Sequence, residues 1–391
     1  MKYNFDEIIS RKNTNSCKWD SALIDNVLPL WVADMDFRTA PAITEALEKR
    51  VRHGIFGYVH VPDAYYEAVI RWFSKRHGWH FEKDWMIYTS GVVPALSSII
   101  KALAGPGDGV LVQTPVYNCF FSSIQNNGCR VVTNPLVYEG GTYRIDFEDL
   151  EKKTADPSVK LILLCNPHNP AGRAWNREEL VRIGDICQHN GVTVISDEIH
   201  CELVFPGHTY IPFASISEDF SKSSVCCISP SKAFNIAGLQ IANIVVRDET
   251  MRQQINRAIN INEVCDVNPF GVEAAIAAYN EGGEWLDQLL EYLKANYDEL
   301  CEFFEEFLPQ LTVTKLEGTY LVWTDCRALH LSSDVMQSLL LDKTGLWLNS
   351  GTMYGAEGEG FLRWNIACPR SVLRDALSRF RNFVSSLNEK G

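Results

Sequence analysis

Residues 224–232 read Ser-Val-Cys-Cys-Ile-Ser-Pro-Ser-Lys, and residues 192–198 read Val-Thr-Val-Ile-Ser-Asp-Glu. Each begins with a short apolar run of the kind that forms a buried strand. Asp197 and Lys232 therefore each follow the carboxyl end of a predicted strand. In open α/β sheets, ligands bind at that edge. We take these two side chains as the centre of a candidate site.

Lys232 is an unusual residue to find at the end of a core strand, because a solvated cation belongs at the surface. An amine held partly out of water has a lowered pKa and can attack a carbonyl carbon. A strand-end aspartate earlier in the chain can hold the nitrogen of a pyridine ring. The pair suggests a pyridoxal 5'-phosphate (PLP) site, with Lys232 forming the Schiff base. Either residue alone is ordinary, so the assignment depends on further motifs.

The composition is that of an ordinary soluble globular protein, with 46% hydrophobic and 22% charged residues in 391. The net charge of −13 and the absence of long Lys/Arg runs argue against a nucleic-acid partner. No apolar run approaches the roughly 18 residues of a spanning helix, and the first residues lack the apolar stretch of a signal peptide. The twelve cysteines are scattered without a CxxC pair. We expect free thiols in a cytoplasmic protein, without metal or membrane contact.

Short apolar runs alternate with amphipathic runs through the middle of the chain. Near-continuous Val, Ile and Leu runs separated by helices predict an α/β fold with a mostly parallel sheet. The predicted strands are Trp85–Thr89, Val110–Gln113, Arg130–Thr133, Lys160–Cys165, Val192–Ser196, Ser224–Ser229 and Ala242–Arg247. The predicted helices include Val92–Leu103, Pro115–Asn126 and Arg177–His189.

The pattern changes near residue 284. A long helix with an apolar stripe is predicted over Trp285–Phe307, followed by strands at Leu311–Lys315 and Gly318–Thr324 and a closing helix over Val372–Leu387. These elements indicate a smaller α+β domain. The predicted units are an N-terminal segment that packs with the small domain (1–45), a large domain (46–283) and the small domain (284–391).

The loop Thr89-Ser90-Gly91-Val92-Val93-Pro94 joins a predicted strand to a predicted helix. Gly91 permits close approach of the backbone to a ligand, and the free N–H groups at a helix start attract phosphate. A plain tight turn is the alternative.

Residues 166–172 read Asn-Pro-His-Asn-Pro-Ala-Gly, and two Asn-Pro steps fix a rigid turn at a strand end. That turn aims the amide of Asn169 at the cleft, whereas His168 is expected to be structural. Tyr117, after another strand end, can stack on a flat heterocycle or can be a core aromatic.

Three further residues have two interpretations each. His200 contacts the hydroxyl of a bound ring or is a packed histidine. Arg363 lies among apolar neighbours in 361–367, and it binds a substrate carboxylate or forms a salt bridge between the lobes. Tyr58 lies in a glycine-flanked loop and can reach a phosphate.

The ordered motifs resemble the fold-type I PLP enzymes of the class I/II aminotransferase superfamily, and more narrowly the MalY/PatB family of cystathionine β-lyases. The resemblance covers nearly the whole chain. The motifs that carry it are WVADMDF (31–37), FGYVHVP (56–62), SGVVPAL (90–96), TPVY (114–117), NPHNPAGR (166–173), SDEIHCELVF (196–205), SPSKAFNIAGLQ (229–240) and RWNIACP (363–369).

The resemblance implies a homodimer with composite sites and PLP as cofactor. Lys232, Asp197 and Tyr117 are the implied catalytic residues. The implied cofactor-binding residues are Gly91, Val92, Val93, Tyr117, Asn169, Asp197, His200, Ser229, Ser231, Lys232 and, from the neighbouring subunit, Tyr58. The implied substrate-binding residues are Ala33, Asn169 and Arg363.

Two positions depart from the common aminotransferase pattern. Gln240 stands where many members have a phosphate-binding arginine, and His200 where many have a tyrosine. Both departures weaken a plain aminotransferase assignment. The resemblance to the MalY/PatB family implies cleavage of cystathionine or related S-substituted L-cysteines to a thiol, pyruvate and ammonia. A class I/II aminotransferase is the alternative. One relative of the family acts by binding a regulatory partner, but no surface of that kind is marked in this sequence.

Overall fold

The computed structural model describes residues 3–22, 26–261 and 267–388. Its strands are β1 (Leu28–Pro29), β2 (Met86–Thr89), β3 (Gly109–Val112), β4 (Arg130–Thr133), β5 (Val137–Glu139), β6 (Thr142–Arg144), β7 (Val159–Cys165), β8 (Thr193–Asp197), β9 (Ser224–Ile228), β10 (Ala242–Val245), β11 (Thr312–Val313), β12 (Leu321–Asp325), β13 (Leu346–Trp347), β14 (Asn349–Ser350) and β15 (Phe361–Asn365).

Its helices are α1 (Pro41–His53), α2 (Asp63–His77), α3 (Val92–Leu103), α4 (Cys119–Asn126), α5 (Phe147–Thr154), α6 (Arg177–His189), α7 (Glu218–Ser223), α8 (Glu249–Asn260), α9 (Pro269–Glu281), α10 (Gly283–Phe307), α11 (Ser333–Thr344) and α12 (Arg370–Asn388). No helix in the described ranges is long and apolar enough to cross a membrane.

A seven-stranded sheet in the order β2-β10-β9-β8-β7-β3-β4 forms the centre of the large lobe. Strands β9, β8, β7, β3 and β4 pair in parallel, and β10 runs antiparallel to both of its neighbours. The predicted α/β fold is confirmed, and all seven predicted central strands lie in this sheet. The carboxyl ends of β2, β3, β7, β8 and β9 therefore meet at one edge.

Both faces of the sheet are covered. Leu161 and Leu163 of β7 belong to an apolar cluster that includes α3 and α4, whereas Ile162 and Leu164 belong to a second cluster that includes α5 and α6. This alternation explains why the strand reads as a continuous apolar run, since neither face is open to water.

The small lobe contains the antiparallel sheet β11-β12-β15-β14. Helix α10 and helix α12 contact each other, and their Phe304 and Phe380 pack on Trp364 of β15. Strand β15 places Arg363 opposite Trp323 on one side and Asn349 on the other.

The N-terminal segment ties the two lobes together. Strand β1 pairs in parallel with β13 of the small lobe. The amide of Asn365 donates to the carbonyl oxygens of Val32 and Asp34, both at 2.6 Å. From the large lobe, the amide of Asn235 donates to the carbonyl oxygen of Met35 at 3.0 Å. The segment thus packs on the small lobe and on the loop after Lys232; the unit boundaries at 45 and 283 remain a prediction.

Candidate active site

A cavity of about 420 Å³ opens at the carboxyl edge of the large sheet, between that edge and the small lobe. This volume lies in the range of small-molecule sites. Its lining comprises Cys17, Trp31, Val32, Ala33, Ser90, Gly91, Val92, Val93, Pro94, Tyr117, Asn118, Cys119, Cys165, Asn169, Asp197, Ile199, His200, Ser231, Lys232, Ala237, Gln240, Ile241, Asn349, Met353, Tyr354 and Arg363.

Lys232 points its amine into this cavity. Its Nζ donates to the carbonyl oxygen of Ala33 at 2.6 Å, and the hydroxyl of Tyr320 donates to the same oxygen at 3.0 Å. Burial, together with the nearby positive charge of Arg363, lowers the pKa of Lys232 to about 8. A larger fraction of this amine is therefore neutral near pH 7 than of a solvated lysine, as a nucleophile or base requires.

Asp197 is the last residue of β8 and is buried. Burial raises its pKa to about 7, and the positive charge of Lys232 acts in the opposite direction. Within the described ranges its carboxylate accepts one hydrogen bond, from the backbone N–H of Ile199 at 3.1 Å, and forms no ion pair. A buried carboxylate with a free oxygen fits a ligand that brings a protonated nitrogen.

Arg363 is 3% exposed, yet none of the described carboxylates pairs with it. One terminal nitrogen donates to Asn169 Oδ1 at 3.2 Å and the other to the carbonyl oxygen of Trp31 at 2.7 Å. Its Nε has no partner, and its guanidinium lies 4.9 Å from the ring centre of Tyr354. The salt-bridge interpretation therefore does not hold among the described residues. A buried cation without an anion fits a ligand carboxylate.

The other predicted ring contacts lie in the same cavity. Tyr117 follows β3, and burial raises the pKa of its phenol. Asn169 follows β7 in a turn whose two Asn-Pro bonds are cis. His200 is buried, its Nδ1 has no hydrogen-bond partner, and burial holds its pKa well below the usual value, so the imidazole is neutral.

The loop after β2 enters α3 at the cavity wall, where Gly91, Val92 and Val93 line the space. The first N–H groups of a helix have no intrahelical partner, so this end suits an anion. Ser231 also lines the cavity. Ser229 does not, and its hydroxyl lies 2.6 Å from the carbonyl oxygen of Ile241 and 2.8 Å from Ser231 Oγ.

Tyr58 lies outside this cavity, in the loop between α1 and α2, with 94% of its surface exposed. Gln240 lines the cavity in a left-handed conformation, with φ of 51°. His168 Nε2 donates to the carbonyl oxygen of Pro115 at 2.8 Å, and burial lowers the pKa of His168 to about 4. The structural interpretation of His168 fits this position.

Sequence reasoning missed part of the wall. Trp31, Cys119, Asn349, Met353 and Tyr354 line the cavity but were not predicted as site residues. Trp31 lies in the 31–37 motif that carries the family resemblance, so this motif could have identified it as a site residue. The other four lie in the loops near residues 110–125 and 345–360, which are expected to shape the pocket, but local pattern does not single them out because the tertiary fold brings these side chains to the sheet edge.

The family model for aminotransferase class I and II matches residues 25–380. The chain belongs to this family. It is 45% identical over 386 residues to cystathionine β-lyase PatB of Bacillus subtilis, covering 98% of this chain and 100% of that protein.

Two solved structures are also similar along nearly the whole chain. Cystalysin of Treponema denticola, which contains PLP, is 36% identical with a TM-score of 0.96, covering 99% of this chain and all of the other. The PLP-bound C–S lyase of Staphylococcus hominis is 35% identical with a TM-score of 0.92, covering 98% and 99%. The predicted fold-type I architecture is thereby confirmed.

Proposed function

We propose that this family member is a PLP-dependent carbon–sulfur β-lyase, which cleaves cystathionine or related S-substituted L-cysteines to a thiol, pyruvate and ammonia. The observation that carries the proposal is the buried Arg363 without an anion, in one cavity with the amine of Lys232 and the carboxylate of Asp197. The names of the relatives support the same reaction.

The residues of the cavity fit PLP by their chemistry. Lys232 would be the attachment point, and Asp197 would pair with the pyridine nitrogen. Tyr117 would stack against the ring, and Asn169 and His200 would bind its hydroxyl. The start of α3 (Gly91, Val92, Val93) and Ser231 would hold the phosphate, with Ser229 behind Ser231 and outside the cavity lining. When bound, PLP withdraws electrons from the bonds at the substrate Cα.

Three residues of the chain have separate roles in the proposed reaction. Arg363 binds the substrate carboxylate through its guanidinium and fixes the orientation of Cα. Asp197 would keep a proton on the pyridine nitrogen. Lys232 has a lowered pKa of about 8 and removes the Cα proton as general base. The carbonyl oxygen of Ala33 holds the lysine in place beforehand.

Product analysis tests the proposal against an aminotransferase. The PLP-loaded enzyme is incubated with L-cystathionine and no keto acid. Continuous release of pyruvate, ammonia and homocysteine in equal amounts supports the lyase. A single turnover that stops until a keto acid is added would identify an aminotransferase instead.

We also propose a cytoplasmic homodimer in which Tyr58 reaches the phosphate of the neighbouring site. Ile55, Phe56 and Tyr58 form an exposed apolar loop, which suits an interface. The free thiols of the eleven described cysteines suit a reducing compartment. Tyr58→Phe should release PLP several-fold faster, since one phosphate hydrogen bond contributes about 1 kcal/mol. A fully active monomer in sedimentation would contradict this arrangement.

A further inference from the structure

The cavity has two parts with different chemistry. One wall carries the groups assigned to PLP and to the substrate carboxylate. The rest of the lining includes eight residues from the N-terminal segment, from the region after β3 and from the small lobe, and we call these eight the outer wall. They are Cys17, Trp31, Val32, Asn118, Cys119, Asn349, Met353 and Tyr354.

No charged side chain is part of the outer wall. Within the described ranges, the charged residues that line the cavity are Asp197, Lys232 and Arg363, and the proposed function uses all three. Arg11, Lys18, Asp34 and Asp36 lie nearby in the chain, but they pair with one another.

Three polar side chains of the outer wall, those of Trp31, Asn349 and Tyr354, are hydrogen-bonded, and the fourth, Asn118, carries an uncharged amide. The amide nitrogen of Asn349 donates to the carbonyl oxygen of Trp31 and to the hydroxyl of Tyr354, both at 2.9 Å. The indole nitrogen of Trp31 donates to the carbonyl oxygen of Lys18 at 3.4 Å, and its ring stacks on Trp347 at 4.5 Å. Besides the Asn118 amide, the outer wall offers ring surface, the Met353 thioether and two thiols.

The second subunit of the proposed dimer would not supply the missing charge through its exposed loop. Residues 54–62 read Gly-Ile-Phe-Gly-Tyr-Val-His-Val-Pro, without a lysine, arginine, aspartate or glutamate.

We infer that the outer wall selects S-substituted cysteines whose leaving thiol is uncharged and apolar, such as S-alkyl cysteines, over cystathionine. This inference rests on the proposed lyase function. The distal ammonium and carboxylate of cystathionine would lose water on entering and find no partner of opposite charge. An alkyl group instead gains burial against rings and soft sulfur atoms.

A matched pair of substrates tests the preference. S-(3-methylbutyl)-L-cysteine has the shape of L-cystathionine but carries two methyl groups in place of the distal ammonium and carboxylate. We expect kcat/KM of the holoenzyme for pyruvate release to be at least about tenfold higher with the alkyl substrate. Equal or faster cleavage of cystathionine overturns the inference and leaves the lyase function standing. Absence of pyruvate from both substrates overturns the lyase function itself, and the inference with it.

A substitution in the outer wall tests whether the leaving group of the substrate lies against it. Met353 is 40% exposed, so a lysine there keeps its charge in water and the fold intact. Met353→Lys should raise kcat/KM for S-(2-carboxyethyl)-L-cysteine several-fold relative to the alkyl substrate, because the new ammonium pairs with the distal carboxylate. Met353→Leu is the matched control and should keep the wild-type ratio. An unchanged ratio in Met353→Lys would show that the leaving group does not lie on this wall.

Discussion

Two clusters of charged side chains contact segment 31–37, and they differ in how their charges are balanced. In the first, which we call the anchor cluster, Lys18 Nζ lies 2.7 Å from Asp36 Oδ2, and Arg11 bonds both Asp34 and Asp36. In the second, the catalytic cluster of Asp197, Lys232 and Arg363, no ion pair forms among the described residues. Internal pairing stabilises the chain, whereas missing partners mark where ligands bind.

Loss of Lys232 should have the largest effect on the catalytic cluster. Lys232→Ala removes the attachment point and the base, so pyruvate release should fall by about 10⁴-fold or more, with the melting temperature little changed. Lys222→Ala is the control, because Lys222 forms a surface pair with Glu218 and should leave both activity and stability unchanged. Borohydride reduction and peptide mapping locate the attachment directly, and a pyridoxyl group on another lysine would refute the assignment.

A substitution in the anchor cluster should lower the stability of the folded protein. Lys18→Met removes the closest cation of the buried Asp36 but leaves Arg11 at 2.9 Å, so we expect a loss of about 1.5–3 kcal/mol of unfolding free energy. Lys232→Met in cofactor-free protein should not destabilise, since no carboxylate loses a partner. Thermal unfolding of the two cofactor-free variants compares them side by side. Equal destabilisation by both substitutions would remove the distinction between the clusters.

Asp197 and Glu198 are adjacent buried carboxylates, and burial raises the pKa of each to about 7. Glu198 accepts hydrogen bonds from Ser196 and the backbone of Phe213 and does not line the cavity. Asp197→Ala should reduce kcat/KM about 10²-fold. This factor corresponds to about 3 kcal/mol of transition-state stabilisation, lost with a charge-assisted hydrogen bond. Glu198→Gln should alter stability and leave kcat/KM within a few-fold. A normal kcat in PLP-loaded Asp197→Ala would contradict the role.

A smaller effect should appear in the pH dependence of the cofactor-free protein. The pKa of Asp197 is raised to about 7, so between about pH 4 and 7 the folded chain binds a proton that the unfolded chain does not. Wild type should therefore gain stability over Asp197→Asn as the pH falls through this window, by on the order of 2 kcal/mol. Melting curves at pH 5 and 7.5 measure it. A difference independent of pH would mean that Asp197 is already ionised in the empty cavity.

The central sheet was predictable because both faces of its strands are buried, so each strand reads as an apolar run. The prediction of a helix over Pro115–Asn126 was wrong at its start, and α4 begins at Cys119. The backbone before α4 forms a hydrogen bond with a distant residue and not within a helix, since Val116 N–H donates to the carbonyl oxygen of Tyr354 at 2.8 Å. Local pattern does not report such distant partners.

The candidate site likewise has a part that the sequence predicts and a part that depends on tertiary packing. Asp197 and Lys232 follow strands of one sheet, so motif order alone placed them together. Tyr354 and Met353 reach the cavity through the packing of the small lobe, which the sequence pattern does not specify. The contacts of Arg363 could not be predicted from the sequence either, because its hydrogen bonds with Trp31 and Asn169 join three distant parts of the chain.

The N-terminal segment has a consequence for how the protein is made. The carbonyl oxygens of Trp31 and Val32 find their partners in Arg363 and Asn365, which are 332 and 333 residues later in the chain. During synthesis, segment 31–37 therefore lacks its contacts with the small lobe until β15 has left the ribosome. The large sheet can form earlier. Synthesis of β15 thus sets the earliest moment at which the cavity is complete.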